Sequence, residues 1–244
     1  MCESGWKETT NDARYYWQET AEPSSAPQIN IKLTSTEPKA KVVVILSGGM
    51  DSAVVCAMAK SMGYEVHALT FDYGQISKPE LEAAKKIAAK YADQHHIIDL
   101  KSVGSLLSSP LTGKESVASD GVAPTYVPFR NTIMLAIALG YAESIGAKKV
   151  YYGANAIDFS GYPDCTPEYI MKFNELVKVA APGKDMLITS PIEMLSKEDI
   201  ARLGNALGVD FNDTYSCYAG TEPPCGECES CKLREEALRK AGLK

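Results

Sequence analysis

A short apolar segment that runs directly into two glycines narrows the possible folds of this chain more than its other features. Residues 42–46 are apolar without interruption, which is typical of a buried parallel strand. Gly48 and Gly49 follow, and a helical apolar pattern begins at Ala53. Glycines at such a turn let backbone N–H groups approach a ligand, and the helix directs its positive end at the same point. The segment therefore predicts an anion site, with phosphate as the expected anion.

The turn differs from the common nucleotide-binding loop because no lysine follows its glycines. Residues 47–52, here called the phosphate loop, read Ser-Gly-Gly-Met-Asp-Ser. This pattern resembles the pyrophosphate (PP) loop of the ATP pyrophosphatases, which cleave ATP between its α and β phosphates. An ordinary strand-turn-helix is the alternative. The resemblance implies that ATP is bound by Leu46, Ser47, Gly48, Gly49, Met50, Asp51, Ser52 and Ala53.

Composition limits the class of protein. A chain of 244 residues that is 45% hydrophobic can bury the core of one ordinary domain. Its formal net charge of −6 argues against a nucleic-acid partner held through phosphates. No apolar stretch is long enough to span a membrane, and the N-terminus does not resemble a secretory signal. These features predict a cytoplasmic protein with no membrane partner.

Three regions are predicted along the chain. Residues 1–40 are rich in Pro, Ser, Thr and Glu and form an N-terminal extension that is expected to be flexible. Their aromatic residues leave open a second interpretation, an arm that docks on the domain or on a partner subunit. Residues 41–210 are predicted to form the ATP-binding α/β domain, and residues 211–244 a metal-binding region with a C-terminal helix.

Alternating strand and helix patterns predict an α/β fold. Such alternation is typical of a parallel sheet with helices on both faces, a Rossmann-like arrangement that resembles the adenine nucleotide alpha hydrolases. Ser77 and Glu80 have the spacing of a capping box before one helix, and residues 102–128 read as a long surface loop. The predicted strands are 42–46, 64–71, 96–100, 149–155 and 186–190, and the other predicted helices are 50–61, 131–145, 166–180 and 196–208.

Four cysteines with close spacing predict a metal site near the C-terminus. In an acidic chain without a secretory signal, disulfides are disfavoured and metal binding is the better interpretation. Four thiolates suit a closed tetrahedral zinc site with a structural role, and an iron–sulfur cluster is the competing assignment. The predicted ligands follow a C-x7-C-x2-C-x2-C pattern and are Cys217, Cys225, Cys228 and Cys231.

Two further segments make a closer resemblance. Residues 127–131 read Val-Pro-Phe-Arg-Asn, and residues 153–165 include Asp-Phe-Ser-Gly-Tyr-Pro-Asp-Cys. Together with the phosphate loop and the four cysteines, they resemble the 7-cyano-7-deazaguanine synthases of the queuosine precursor pathway over about residues 41–240. The resemblance implies that 7-carboxy-7-deazaguanine is adenylated, converted to an amide by ammonia, activated again and dehydrated to the nitrile. ATP, Zn²⁺ and Mg²⁺ are the implied cofactors, and a homodimer is expected.

Residue roles can be assigned on this resemblance. Asp51 and Arg130 are the expected catalytic residues: Asp51 would hold Mg²⁺ or orient the loop, and Arg130 would pair with the substrate carboxylate or a phosphate. A carboxylate also complements the N–H edge of a guanine-like base, although Asp158 and Asp164 could equally be turn residues. The predicted substrate-binding residues are Arg130, Asn131, Asp158, Phe159, Ser160, Gly161, Tyr162 and Asp164.

Three other functions remain open at this point. A tRNA-modifying member of the same ATP superfamily would share the phosphate loop but would need a basic surface. A zinc-dependent interaction module would need no phosphate loop, so loss of Asp51 would leave it active. A carboxamide synthetase would follow the same chemistry and stop at the amide.

Overall fold

The structure is a computed structural model that describes residues 39–158 and 161–244. Five strands of this part of the chain form one parallel sheet in the order β3-β2-β1-β4-β5. The prediction of an α/β fold with a parallel sheet is confirmed. Nearly all of the extension predicted over residues 1–40 lies outside the described residues, and the boundaries near 40 and 210 stay predictions. The strands are β1 (Lys41–Ile45), β2 (Glu65–Asp72), β3 (Gln94–Asp99), β4 (Lys149–Tyr151) and β5 (Leu187–Thr189).

Helices lie on both faces of the sheet. In the described residues, every helix is too short or too polar to cross a membrane. The helices are α1 (Met50–Ser61), α2 (Pro79–Tyr91), α3 (Lys101–Gly104), α4 (Arg130–Ile145), α5 (Pro167–Ala180), α6 (Lys197–Ala206) and α7 (Glu229–Lys240). Single 3₁₀ turns occur at Pro110–Thr112, Pro163–Cys165 and Phe211–Asp213.

The central strand β1 contributes to two separate cores because successive side chains of a strand point to opposite faces. Val42 and Val44 pack with residues of α1, α2, α6 and α7. Val43 packs on the other face with residues of α4 and α5. All three valines are fully buried. The uninterrupted apolar segment is therefore explained by helices that cover both sides of the strand.

Two predicted helix starts are confirmed by their caps. Ser196 accepts a hydrogen bond from the Asp199 amide (3.1 Å), and the Asp199 carboxylate accepts one from the Ser196 amide (3.2 Å). Thr166 Oγ1 accepts from the Tyr169 amide (3.2 Å), with Pro167 in the first turn of α5. Both arrangements satisfy amides that have no partner inside the helix.

The capping box predicted for α2 is wrong. The N-cap residue is Lys78, and no side chain caps the helix. The Glu80 carboxylate instead accepts a hydrogen bond from Gln75 Nε2 (2.8 Å). The spacing of Ser77 and Glu80 matched the motif, but the preceding loop supplies a competing partner for the carboxylate.

Strand and loop boundaries differ from several predictions. β3 begins two residues earlier than predicted because Gln94 pairs in register with His67. β4 ends at Tyr151 and β5 covers only Leu187–Thr189, since the ladder between them is three residues long. Gly153 then passes so close to α1 that a Cβ there would lie 3.1 Å from the Ser52 amide nitrogen. The loop predicted over residues 102–128 also contains most of α3 and a 3₁₀ turn.

Candidate active site

The phosphate loop joins the carboxyl end of β1 to the N-terminus of α1, in the middle of the sheet. Gly48 has a φ of 90°, and a Cβ on it would lie 2.1 Å from the Glu80 carbonyl oxygen, so only glycine fits. The Ser47 and Ser52 hydroxyl oxygens are 3.0 Å apart, and the Gly49 amide donates to Ser47 Oγ (3.4 Å). Amides and hydroxyls thus converge at a helix N-terminus, the arrangement that binds phosphate.

A cavity of about 290 Å³ opens at this loop. Cavities outside the carboxyl ends of parallel strands are the usual ligand sites of such sheets. Residues from distant parts of the chain meet in its wall. The predicted site residues that line it are Leu46, Ser47, Gly49, Met50, Asp51, Ser52, Arg130, Asn131, Asp158 and Tyr162.

Other predicted residues lie behind the cavity wall or cannot be described. Ala53 is fully buried in the core of the α1 face. Asp164 is buried beneath Asn131, whose amide donates to Asp164 Oδ2 (3.2 Å). Gly161 packs against Ala123. The predictions for Phe159 and Ser160 fall outside the described residues.

Asp51 forms an ion pair that the sequence analysis missed. Lys197 Nζ donates to Asp51 Oδ2 at 2.5 Å, and both side chains are largely buried. Burial opposes the charge of Lys197, but Asp51 and Asp158 outweigh it and raise the lysine pKa. Asp51 Oδ1 is buried without a hydrogen-bond partner. The capping box at Ser196 was the available signal, because it places the next residue at the start of a helix after β5.

Arg130 stands at the start of α4 and faces the cavity. Its Nη1 donates to the Tyr73 hydroxyl (3.2 Å), and the guanidinium lies 5.7 Å from the centre of the Tyr73 ring. Asp158 accepts hydrogen bonds from the amide nitrogen and the side chain of Asn155 (3.1 and 2.8 Å). Burial raises the pKa of the Asp158 carboxyl, and Lys197 opposes that shift. A fixed cation and a fixed carboxylate therefore border the same cavity.

Cys165 lines the cavity but is not suited to act as a nucleophile. Burial raises the pKa of its thiol to about 12, so the thiol stays protonated near neutral pH. Asn131 Nδ2 donates to Cys165 Sγ at 3.1 Å. The thiol is a buried structural group in this arrangement.

Two groups of cavity residues had no signal in a single sequence. The loop after β2 supplies Tyr73, Gln75 and Ser77, and the first turn of α2 supplies Glu80. Residues 215–234, here called the cysteine segment, form another part of the wall. They contribute Tyr215, Ser216, Tyr218, Ser230, Leu233 and Arg234.

The four predicted metal ligands lie together. The Sγ atoms of Cys217, Cys225, Cys228 and Cys231 are all within 4.8 Å of one another, and the thiols form no disulfide. The Cys225 amide donates to Cys217 Sγ and the Cys228 amide to Cys225 Sγ, both at 3.4 Å. Such amides stabilise thiolates. Four clustered sulfur atoms fit a tetrahedral metal ion, for which zinc–sulfur bonds are about 2.3 Å.

The fold and the site together define a class of protein. A parallel sheet with an SGGxDS loop at its centre and a cavity at the carboxyl ends of its strands is the architecture of a PP-loop ATP pyrophosphatase. A family model for the queuosine biosynthesis protein QueC matches residues 41–242. The chain belongs to that family.

Known proteins support this membership. A 7-cyano-7-deazaguanine synthase from Pseudomonas syringae pv. syringae is 44% identical over 223 residues, covering 87% of this chain and 96% of the relative. Another from Thermoplasma acidophilum is 46% identical over 215 residues, covering 83% and 89%. A solved structure of a 4-thiouridine synthetase in complex with RNA and bound ATP is similar with a TM-score of 0.51. It is 18% identical and covers 83% of this chain and 50% of that chain, so it shows the fold alone.

Proposed function

We propose that this chain is an ATP-dependent ligase that converts 7-carboxy-7-deazaguanine and ammonia to 7-cyano-7-deazaguanine. The observation that carries the proposal is that the phosphate loop and Arg130 open into one cavity. A loop for ATP phosphates beside a cation for a carboxylate is what an acid-activating enzyme needs. The names of the relatives supply the substrate class.

The first half of the reaction activates the acid. The phosphate loop and Lys197 bind the departing pyrophosphate, and Arg130 holds the substrate carboxylate against the α-phosphorus. The carboxylate oxygen attacks phosphorus, and the bond between the α and β phosphates breaks. Ammonia then displaces AMP from the acyl adenylate and gives the amide. Mg²⁺, held through Asp51 Oδ1, would neutralise phosphate charge.

The second half uses the same groups on the amide. The amide oxygen attacks a second ATP at the α-phosphorus, which makes that oxygen part of a good leaving group. Loss of the N–H protons and departure of AMP leave the nitrile.

The base of the substrate is assigned to the segment after β4. Asp158 would accept hydrogen bonds from the N–H edge of the deazaguanine, while Tyr162 would pack on its ring. Asp164 would act from behind the wall by holding Asn131, whose amide it binds. The remaining predicted substrate-binding residues of this segment are Phe159, Ser160 and Gly161.

Zinc is the proposed metal of the four cysteines, and its role is structural. Four thiolates leave no open coordination position for substrate. A homodimer and a cytoplasmic location are further parts of the proposal, and both rest on the family resemblance and the composition.

Product mass tests the proposal. Purified protein is incubated with ATP, Mg²⁺, ammonium chloride and 7-carboxy-7-deazaguanine, and the products are identified by mass spectrometry. The nitrile is expected, and an Asp51→Asn variant should form none. A product heavier than the nitrile by one water would mean that the enzyme stops at the amide. No product from the free base, together with ATP-dependent modification of tRNA, would contradict the proposal.

A further inference from the structure

One corner of the cavity takes no direct part in the adenylation steps, apart from the Tyr73 hydroxyl, which accepts a hydrogen bond from Arg130. It is formed by the loop between β2 and α2 together with the first turn of α2, and four of their residues line the cavity: Tyr73, Gln75, Ser77 and Glu80. Ser77 is only 5% exposed, and its hydroxyl makes no hydrogen bond of ordinary geometry, although it lies close enough to the Glu80 carboxylate to act on that group's pKa. A buried hydroxyl without a partner is costly unless a ligand completes it. The corner therefore has the character of a small polar subsite.

Gln75 holds the carboxylate of this corner in place. Its Nε2 donates to Glu80 Oε1 (2.8 Å) and to the Phe71 carbonyl (3.1 Å). Its Oε1 accepts from the Tyr73 amide (2.9 Å), so its amide group is fully engaged. Gln75 is 2% exposed and acts as a fixed support. One oxygen of Glu80 is bound to that support. The Ser77 hydroxyl and the charge of Arg130 also act on this carboxylate and oppose the rise in its pKa that burial causes.

The chemistry of the corner selects a small cation that carries several N–H donors. A carboxylate and a hydroxyl can both accept hydrogen bonds, and ammonium has four to give. The edge of a guanine-like base suits a carboxylate with both oxygens available, but Gln75 occupies one oxygen of Glu80. Mg²⁺ is usually bound through one or two carboxylates together with substrate phosphates, and Asp51 in the phosphate loop suits that role better than this corner. Ammonium fits best.

The corner borders the phosphate loop. The Glu80 carbonyl oxygen lies so close to Gly48 that a Cβ there would be only 2.1 Å away. The first turn of α2 and the loop that binds ATP are thus in contact. Glu80 also lines the same cavity as the phosphate loop and Arg130, so a nitrogen nucleophile held beside its carboxylate would start in the cavity where the acid is activated.

We propose that Glu80 and Ser77 form the ammonium site of the reaction, an inference that rests on the proposed function. Ammonium gives one proton to the Glu80 carboxylate, and the resulting ammonia lone pair forms the C–N bond to the acyl adenylate carbon. The C–O bond to phosphate breaks and AMP leaves with the electron pair. The nitrogen then loses a second proton to solvent, which completes the amide.

Two partial reactions distinguish ammonium binding from the two activation steps. Pyrophosphate exchange into ATP, driven by the acid without ammonium, reports adenylation alone. Conversion of synthetic amide to nitrile reports the second activation, which uses no ammonia. The variants Glu80→Gln and Ser77→Ala are compared with Glu82→Gln, a control on an exposed residue of the same helix turn that pairs with Lys85. Thermal unfolding verifies that each variant folds.

The expected result is selective. Glu80→Gln should raise the KM for ammonium chloride at least about tenfold, and Ser77→Ala about fivefold. Pyrophosphate exchange and amide dehydration should stay within about twofold of wild type in both variants. Glu82→Gln should change none of these rates.

Other outcomes would overturn the ammonium site. An unchanged KM for ammonium in both variants would do so, as would a raised KM for 7-carboxy-7-deazaguanine or ATP with that for ammonium unaffected. If the Glu80→Gln variant does not fold, the KM of the Ser77→Ala variant for ammonium still tests the proposal. Failure of the wild-type protein to form any amide or nitrile would instead contradict the proposed function itself.

Discussion

Gly48 shows how strictly one residue can shape a site. Its φ of 90° is rarely adopted by residues with a side chain, and the Glu80 carbonyl occupies the space that a Cβ would need. Gly140, on the exposed side of α4, is the opposite case, since nothing lies within 4 Å of its Cβ position. Glycine is therefore required at position 48, whereas position 140 can accept a residue with a side chain.

The substitution Gly48→Ala should destabilise the protein by at least about 2 kcal/mol and abolish ATP binding. Gly140→Ala is the matched control and should stabilise it by about 0.5–1 kcal/mol, because alanine favours a helix interior. Urea unfolding measures both variants. Equal effects of the two changes would mean that the turn at Gly48 is not constrained as described.

Lys197 is expected to act on phosphate charge, since it lies against Asp51 at the loop. Lys197→Met should lower kcat/KM for nitrile formation about 100-fold by removing a cation from the transition state. Lys172→Met is the control, because Lys172 pairs with Glu175 on the surface at 3.1 Å. Steady-state kinetics tests both variants. Near-normal turnover by Lys197→Met would remove this lysine from the mechanism.

Asp164 makes stability depend on pH. Burial raises the pKa of its carboxyl, although Arg130 and the Asn131 amide oppose the shift. A pKa that is higher in the folded than in the unfolded protein means that ionisation costs stability. This loss of stability is fully present at a pH above the pKa of Asp164 in the folded protein. It disappears at a pH below the ordinary carboxyl pKa of about 4.

Asp164→Asn should therefore be more stable than wild type at neutral pH, and the two should converge as the pH falls toward about 4. Asp185→Asn is the control, because the Asp185 side chain is 92% exposed. Unfolding midpoints across this pH range test the prediction. A stability difference for Asp164→Asn that does not change with pH would show that its ionisation is not involved.

At the scale of elements, the cysteine segment and the phosphate loop are directly joined. The Tyr215 amide donates to the Gly48 carbonyl at 2.9 Å. Arg234 on α7 donates to the Phe211 carbonyl and to Thr214, which precedes this contact. A metal that orders the cysteine segment would therefore also support the loop that binds ATP.

Metal removal should weaken ATP binding as well as lower stability. Cys225→Ser should lose bound metal, unfold at lower temperature and bind ATP more weakly, since structural zinc contributes several kcal/mol to folding. Cys56→Ala is the control, a fully buried thiol outside the cluster. This substitution should lower the free energy of unfolding by about 1–2 kcal/mol and leave the metal content unchanged. Elemental analysis measures the metal content of the two variants, and calorimetric titration measures their affinity for ATP. Normal ATP affinity in metal-free protein would show that the metal does not support ATP binding.

Elements with strong local signals could be predicted, and those defined by long-range pairing could not. α1 follows from the apolar residues after the phosphate loop and α5 from its Thr166 cap, and their bounds match the prediction to within one residue. The length of β4 depends on β5, which lies more than 30 residues further along the chain. The cap of α2 was predicted wrongly because Gln75 takes the carboxylate that the motif assigned to Ser77.

At the scale of the whole molecule, the site is assembled by the parallel sheet. β1 lies between β2 and β4, so the loops after these strands flank the phosphate loop. The sequence motifs indicated the phosphate loop, Arg130 and the cysteines because each has a local pattern. The local patterns around Lys197 and Glu80 indicate helix starts and not a site, and only the fold brings these residues to the cavity.

In the proposed reaction, one cavity activates first an acid and then an amide. Purified protein is given 7-carboxy-7-deazaguanine, ammonium chloride and excess ATP, and acid, amide, nitrile and AMP are followed over time by liquid chromatography and mass spectrometry. Amide should rise and then decline as nitrile accumulates, with about two AMP formed per nitrile, one for each activation. Amide that accumulates without conversion, or one AMP per nitrile, would contradict the proposed reaction.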